Sequence, residues 1–216
     1  MKRTIISLFA AGLLASAASA QLVYDLVGDT GVEAQFTFTF DDTANTVTVW
    51  IDNTIAGVGG VQGRITSFGF NTPFSGAELG VDGANVSFTE DASGDWASFV
   101  PYDLDPNPPF GQDYGVGIGS NPEGGGSGGI LFGETATFVF TFPDFEGMDG
   151  WGGEDSLSVR FQSVGADGSF EDSDKVIGTP DDGGGGSGFV PEPSTYGMFG
   201  ALALLGLMVV RQLRRR

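Results

Sequence analysis

Apolar and polar residues alternate with a period of two through much of the middle of the chain. Phe36, Phe38 and Phe40 alternate with Thr37 and Thr39, and Val47, Val49 and Ile51 alternate with Thr46, Thr48 and Trp50. Phe138, Phe140 and Phe142 alternate with Thr137, Val139 and Thr141, and Leu157, Val159 and Phe161 with Ser156, Ser158 and Arg160. A two-residue period puts alternate side chains on opposite sides of an extended backbone, so these segments read as half-buried β-strands. Weaker strands are expected at 22–27, 65–70, 86–89, 96–100 and 176–177. Between the first two strong strands, Asp41-Asp42-Thr43-Ala44-Asn45 supplies turn chemistry. That turn predicts a hairpin whose register sets the Phe series against the Val/Ile series on one buried face.

No stretch of this region has a convincing helical period, and many of the 37 glycines fall between strands, where they serve turns and loops. Eight or nine short antiparallel strands, each with one apolar face, need a second sheet to cover them. The expected fold is all-β: a single antiparallel β-sandwich of jelly-roll type over residues 21–177.

Both ends of the chain break the pattern. Met1-Lys2-Arg3 is followed by an apolar run over 5–14 and by Ala18-Ser19-Ala20 before Gln21. A basic start, a short apolar core and an A-x-A end describe a secretory signal peptide, residues 1–20, with cleavage after Ala20 and Gln21 opening the mature chain. Residues 178–189 are dominated by glycine, with almost nothing to bury, and read as a flexible spacer. Residues 194–210 carry no charge; as a helix they would extend about 25 Å, the short limit for crossing a bilayer. Arg211, Arg214, Arg215 and Arg216 follow directly and would stay on the cytoplasmic side, leaving the body outside.

Charge follows the same division. The chain has 28 acidic and 9 basic residues, a net charge of −19, but only Arg64, Arg160 and Lys175 lie between residues 21 and 190. Against 27 acids there, the exported part carries −24. So acidic a body repels phosphate backbones, and no nucleic-acid partner is expected. With no His and no Cys, Ser-His-Asp and Cys-His catalysis, disulfides and the usual zinc ligand sets are excluded.

Val190-Pro191-Glu192-Pro193-Ser194, the hydrophobic segment and the arginine-rich end together resemble the PEP-CTERM sorting signal of Gram-negative bacteria, over residues 190–216. The resemblance implies export through the Sec machinery and transient anchoring in the inner membrane by the 194–210 helix. It also implies processing near Pro191-Glu192-Pro193 by an exosortase, with release to the cell surface or to exopolysaccharide and biofilm material. Similar tails occur on some proteins described as ice-binding. Two prolines that cannot propagate a helix would hold the motif extended, the form a protease cleft accepts.

Candidate chemistry in the body is sparse. Asp103, Asp105 and Asn107 have the alternate oxygen ligands that open a calcium loop, but Pro108 and Tyr114 stand where an EF-hand needs Gly and Glu. A second acidic loop spans 167–174. For both, a solvated surface loop is the favoured reading and calcium the alternative; no other cofactor is expected. Trp96, Tyr102, Tyr114 and Trp151 offer either a stacking platform for sugars or, as the favoured reading, packing beneath glycine-rich loops. Outward Thr37, Thr39, Thr46 and Thr48 form the kind of array an ice-binder needs, though Thr is also an ordinary solvent-facing strand residue. No acidic pair stands out for catalysis. The expectation is a non-enzymatic, structural or polysaccharide-associated matrix protein, with a secreted carbohydrate-active enzyme using paired carboxylates as the alternative.

Overall fold

The hairpin expected around residues 41–45 forms in the register that the alternation requires. Strand β2 (Glu33–Asp41) pairs with β3 (Thr46–Asp52), setting Phe36 opposite Ile51, Phe38 opposite Val49 and Phe40 opposite Val47. All six are buried, while the threonines between them face outward and stay half-exposed. Asp41 Oδ1 accepts the backbone N–H groups of Thr43 (2.9 Å) and Ala44 (3.0 Å), and Asn45 takes the left-handed conformation at φ 56°. Asn tolerates that region better than a branched residue, which is why it can end the turn.

This computed structural model describes residues 21–106, 109–119, 128–143, 145, 149–166 and 172–180, all within the compact unit Ser19–Val190. Around the hairpin, β1 (Gln21–Val27), β10 (Thr135–Thr141) and β5 (Ser87–Glu90) complete a five-stranded sheet of order β1-β2-β3-β10-β5. The second sheet, of order β12-β11-β4-β9-β6, uses β4 (Gln62–Phe70), β6 (Trp96–Phe99), β9 (Tyr114–Ile118), β11 (Leu157–Gly165) and β12 (Asp172–Gly178). All pairings are antiparallel. The chain changes sheet after β3, β4, β5, β9 and β10, so both sheets are built from sequence-distant strands.

Aromatic rings fill the space between the sheets. Phe36 and Phe38 of the first sheet meet Phe68 and Phe70 of the second with centroids 5.4 and 5.3 Å apart, and Phe68 meets Phe138 at 5.0 Å. Most of these contacts are edge-to-face, the arrangement the ring quadrupole favours, worth about 0.5–1.5 kcal/mol each beyond area burial. Two of the polar side chains that enter the core make hydrogen bonds there. Asn53 Nδ2 donates to Gly63 O and to Ile130 O, both at 2.9 Å, and Tyr24 Oη shares a 2.9 Å hydrogen bond with Ser156 Oγ. Burial pushes the Tyr24 phenol up to about 12, against the lowering effect of Ser156.

The structure corrects the sequence expectation in three places. Ser75 caps a short helix, α1 (Gly76–Leu79), with Glu78 returning the bond to the Ser75 N–H, a capping box too short to leave a helical period. Strand β9 was not expected, because Tyr114-Gly-Val-Gly-Ile118 reads as turn-rich. Nor was the hairpin of β7 (Tyr102–Pro106) and β8 (Pro109–Gln112). That hairpin lies against the outer face of the second sheet. A Cβ on Gly69 or Gly115 would fall 2.0 or 2.3 Å from the Tyr102 ring, so the two glycines leave the slot the ring fills. Tyr102 Oη donates to Ser67 Oγ at 2.9 Å on the same face. Among the described residues no helix is long and apolar enough to cross a membrane; residues 194–210 lie outside them.

Candidate functional site

Strand register determines what the first sheet shows to solvent. Its outward residues align in rows across the strands. One row runs Val23, Thr37, Trp50, Thr137, and the next Gln21, Thr39, Thr48, Val139, Thr89. Neither row holds a charged side chain. They are flanked on one side by the row of Asp25, Gln35, Asp52 and Thr135, with Glu33 beyond, and on the other by Asp41, Thr46, Thr141 and Ser87. The flanking carboxylates are engaged locally. Asp25 Oδ1 accepts from Gln35 Nε2 at 2.7 Å, Asp52 Oδ1 from the Thr54 N–H at 2.8 Å, and Asp41 Oδ1 caps the hairpin turn.

Trp50 stands near the middle of this face, 38% exposed, and packs on no other ring among the described residues. It is the conspicuous feature that sequence reasoning passed over. The signal was present, since Trp50 occupies a polar position in the alternation, where an aromatic gains nothing from the core. The four threonines Thr37, Thr39, Thr46 and Thr48 do share the face, joined by Thr89, Thr135, Thr137 and Thr141. A uniform hydroxyl array does not form, because Trp50 and Val139 interrupt it.

Burial agrees with the favoured packing reading of the four aromatics and not with the stacking platform. Tyr102 and Tyr114 are fully buried, Trp151 packs against Phe40, Phe70 and Phe142, and half-buried Trp96 lies 4.9 Å from Phe138 with its Nε1 donating to Ser93 O. Three of these rings are buried and the fourth, Trp96, packs one side on the core, so the four do not share a solvent-facing platform. Burial raises the Tyr102 phenol far above its ordinary range, against the opposing effects of Ser67 and Arg160, and burial raises Tyr114 as well.

The acidic candidates separate. Asp103 is exposed on β7 and Asp105 lies further along the same strand, in a hairpin rather than the open loop expected; Asn107 lies outside the described residues. Of the second acidic segment, Asp174 is buried in β12, where its Oδ2 accepts the Thr30 N–H (2.9 Å) and Thr30 Oγ1 (2.6 Å). It clasps the β1–β2 loop to the second sheet. Among the described residues no three acidic side chains gather as a metal site would require. A hollow of about 320 Å³ is lined by Asp91, Ser93, Ile130, Glu134 and Thr135. Its two carboxylates accept backbone N–H groups, Asp91 from Thr137 (2.6 Å) and Glu134 from Leu131 (3.0 Å).

Gln21, expected to open the mature chain, is the first residue of β1, and its Nε2 donates to Thr39 Oγ1 at 3.3 Å. Ala18, Ala20, Pro191, Glu192, Pro193, Arg211, Arg214, Arg215 and Arg216 lie outside the described residues. No known family model matches the chain, and no curated protein or solved structure is similar to it.

Proposed function

We propose that this is an exported cell-surface or extracellular-matrix protein, delivered by its PEP-CTERM-like tail, whose body binds polysaccharide without cleaving it. The observation that carries the binding part is Trp50, a large aromatic left on an open sheet face while Trp96 and Trp151 are drawn into the packing. A sugar ring has an apolar C–H face and a rim of hydroxyls. An exposed indole surrounded by threonine methyls and hydroxyls offers a counterpart to each. A flat face also suits a polymer, which needs no enclosing cleft.

The delivery part rests on the sequence: the signal peptide, the glycine spacer, Pro191-Glu192-Pro193, the apolar segment and the terminal arginines. In this reading the partners are the Sec machinery, an exosortase, the inner membrane before processing and exopolysaccharide after it. A jelly-roll assignment of the sandwich is supported by its repeated sheet changes.

Two experiments test the proposal. Deleting Pro191 to Pro193 is expected to hold full-length protein in the membrane fraction; processing and release like the parent would overturn the delivery route. The protein is expected to be retained on the producing organism's exopolysaccharide without releasing reducing sugar. The alternative, a carbohydrate-active enzyme, draws on the Asp91 and Glu134 hollow. Sugar release abolished by Asp91→Asn or Glu134→Gln would establish that reading instead.

A further inference from the structure

We infer that the outer face of the first sheet takes a neutral polysaccharide lying across the strands, and that it rejects polymers of uronic acids or sulfated sugars. This rests on the polysaccharide-binding reading and adds the ligand's charge class and direction. The first ground is where charge falls. The three cations of the exported body, Arg64, Arg160 and Lys175, belong to β4, β11 and β12 of the second sheet. The outer face of the first sheet has none, and carboxylates border its uncharged rows on both sides. An anionic polymer laid there would meet Asp25 and Asp52 along one border and Asp41 at the other with no counter-charge. At physiological salt the screening length is about 8 Å, longer than the roughly 7 Å between adjoining rows, so salt does not hide these charges from a polymer on the face.

Direction follows from the same rows. Uncharged positions run perpendicular to the strands, and the row from Gln21 to Thr89 crosses all five, about 19 Å at roughly 4.8 Å per strand. A polymer lying along a strand would instead pass from Trp50 onto Asp52 within two residues. A second copy of this chain is a poor occupant, since stacking two such faces opposes Asp25, Glu33, Asp41 and Asp52 of each without a cation on either.

The test uses the full-length chain in mild detergent, applied to neutral polysaccharides (cellulose, mannan and dextran) and to anionic ones (alginate and hyaluronate). Retention is expected on at least one neutral polymer and on neither anionic one. Trp50→Ala is expected to weaken the neutral interaction about tenfold, the loss of one stacked aromatic. Thr48→Glu, which puts a charge in an uncharged row, is expected to do the same, and Val81→Ala, exposed elsewhere, to change nothing. Alginate binding as strong as neutral binding overturns the charge argument, and undiminished binding by both face variants moves the site elsewhere. Self-association abolished by Trp50→Ala, without glycan binding, assigns the face to a second copy. Retention on the organism's exopolysaccharide alone leaves the proposed function standing, and refutes the neutral class if that polymer carries uronic acid or sulfate and supports it if it carries neither; no retention on any polymer removes both.

Discussion

The two sheets bury similar aromatic inner faces but finish their outer faces in opposite ways. At the centre of the second sheet the outward residues Ser67, Gly69, Gly115, Gly117 and Ser158 are small, and the β7–β8 hairpin lies on this patch, with Tyr102 seated on Gly69 and Gly115. On the first, threonines, two valines and Trp50 stand out from the sheet with no element of the described residues over them. Glycine on an outward strand position marks a face that something in the chain covers; an outward tryptophan among threonines marks one it leaves open. That difference makes the first sheet the place to look for a partner.

Four measurements probe the difference between the two sheets. Truncating an inward ring should cost most: Phe68→Ala, which removes contacts with Phe36, Phe138 and Phe140, is expected to lower stability by about 3–5 kcal/mol in a denaturant melt. Loss below about 1 kcal/mol would mean that the inter-sheet packing is looser than the ring geometry implies.

Alkaline titration comes next. The Tyr24 phenol sits at about 12 in the folded chain against 10 when unfolded, so the folded state holds its proton longer. Its contribution is complete below pH 10 and lost as pH rises toward 12, on the order of 2–3 kcal/mol. Tyr102 and Tyr114 shift in the same direction. In a Tyr196→Phe chain, phenolate absorbance from Tyr24, Tyr102 and Tyr114 should therefore appear late and together with unfolding, and titration of any of the three at ordinary pH in the folded chain would contradict its burial.

The hairpin gives the third test. Gly69→Ala forces a methyl into the Tyr102 ring and is expected to cost about 1–3 kcal/mol, with faster amide exchange across β7 and β8. In a Tyr102→Ala background the same methyl should cost far less, a coupling that a double-mutant cycle measures. Equal costs in both backgrounds would mean that the glycine serves something other than the ring. Smallest is Trp50→Ala, expected to lower stability by about 1 kcal/mol or less, the cross-strand contacts with Thr37 and Thr137 being lost while the inter-sheet core stays intact. A loss near that of Phe68→Ala would show that the open face is structural.

How much of this could be read beforehand depended on whether a residue's setting is local. The β2–β3 hairpin was legible to its register, because alternation and an Asp-Asn turn are both short-range signals. Strand β9 was not, because its glycines look like turn residues until Tyr102 is known to lie on one of them. The aromatics were legible as packing residues, but not in the partners they pack against. Trp96, Tyr102, Tyr114 and Trp151 sit beside loops in the sequence, and only the path of the chain between sheets turns them inward. Asp174, grouped with solvated acids by its neighbours, is instead held by Thr30 from across the sandwich.

Sequence alone determined the strand period, the all-β class, the acidity of the body and the absence of His and Cys chemistry, all properties of residue type and near neighbours. Tertiary structure decided which face is covered and which is open, and where the three cations fall. Those outcomes depend on pairing between strands far apart in the chain, such as β3 with β10 and β4 with β11, and nothing local encodes them.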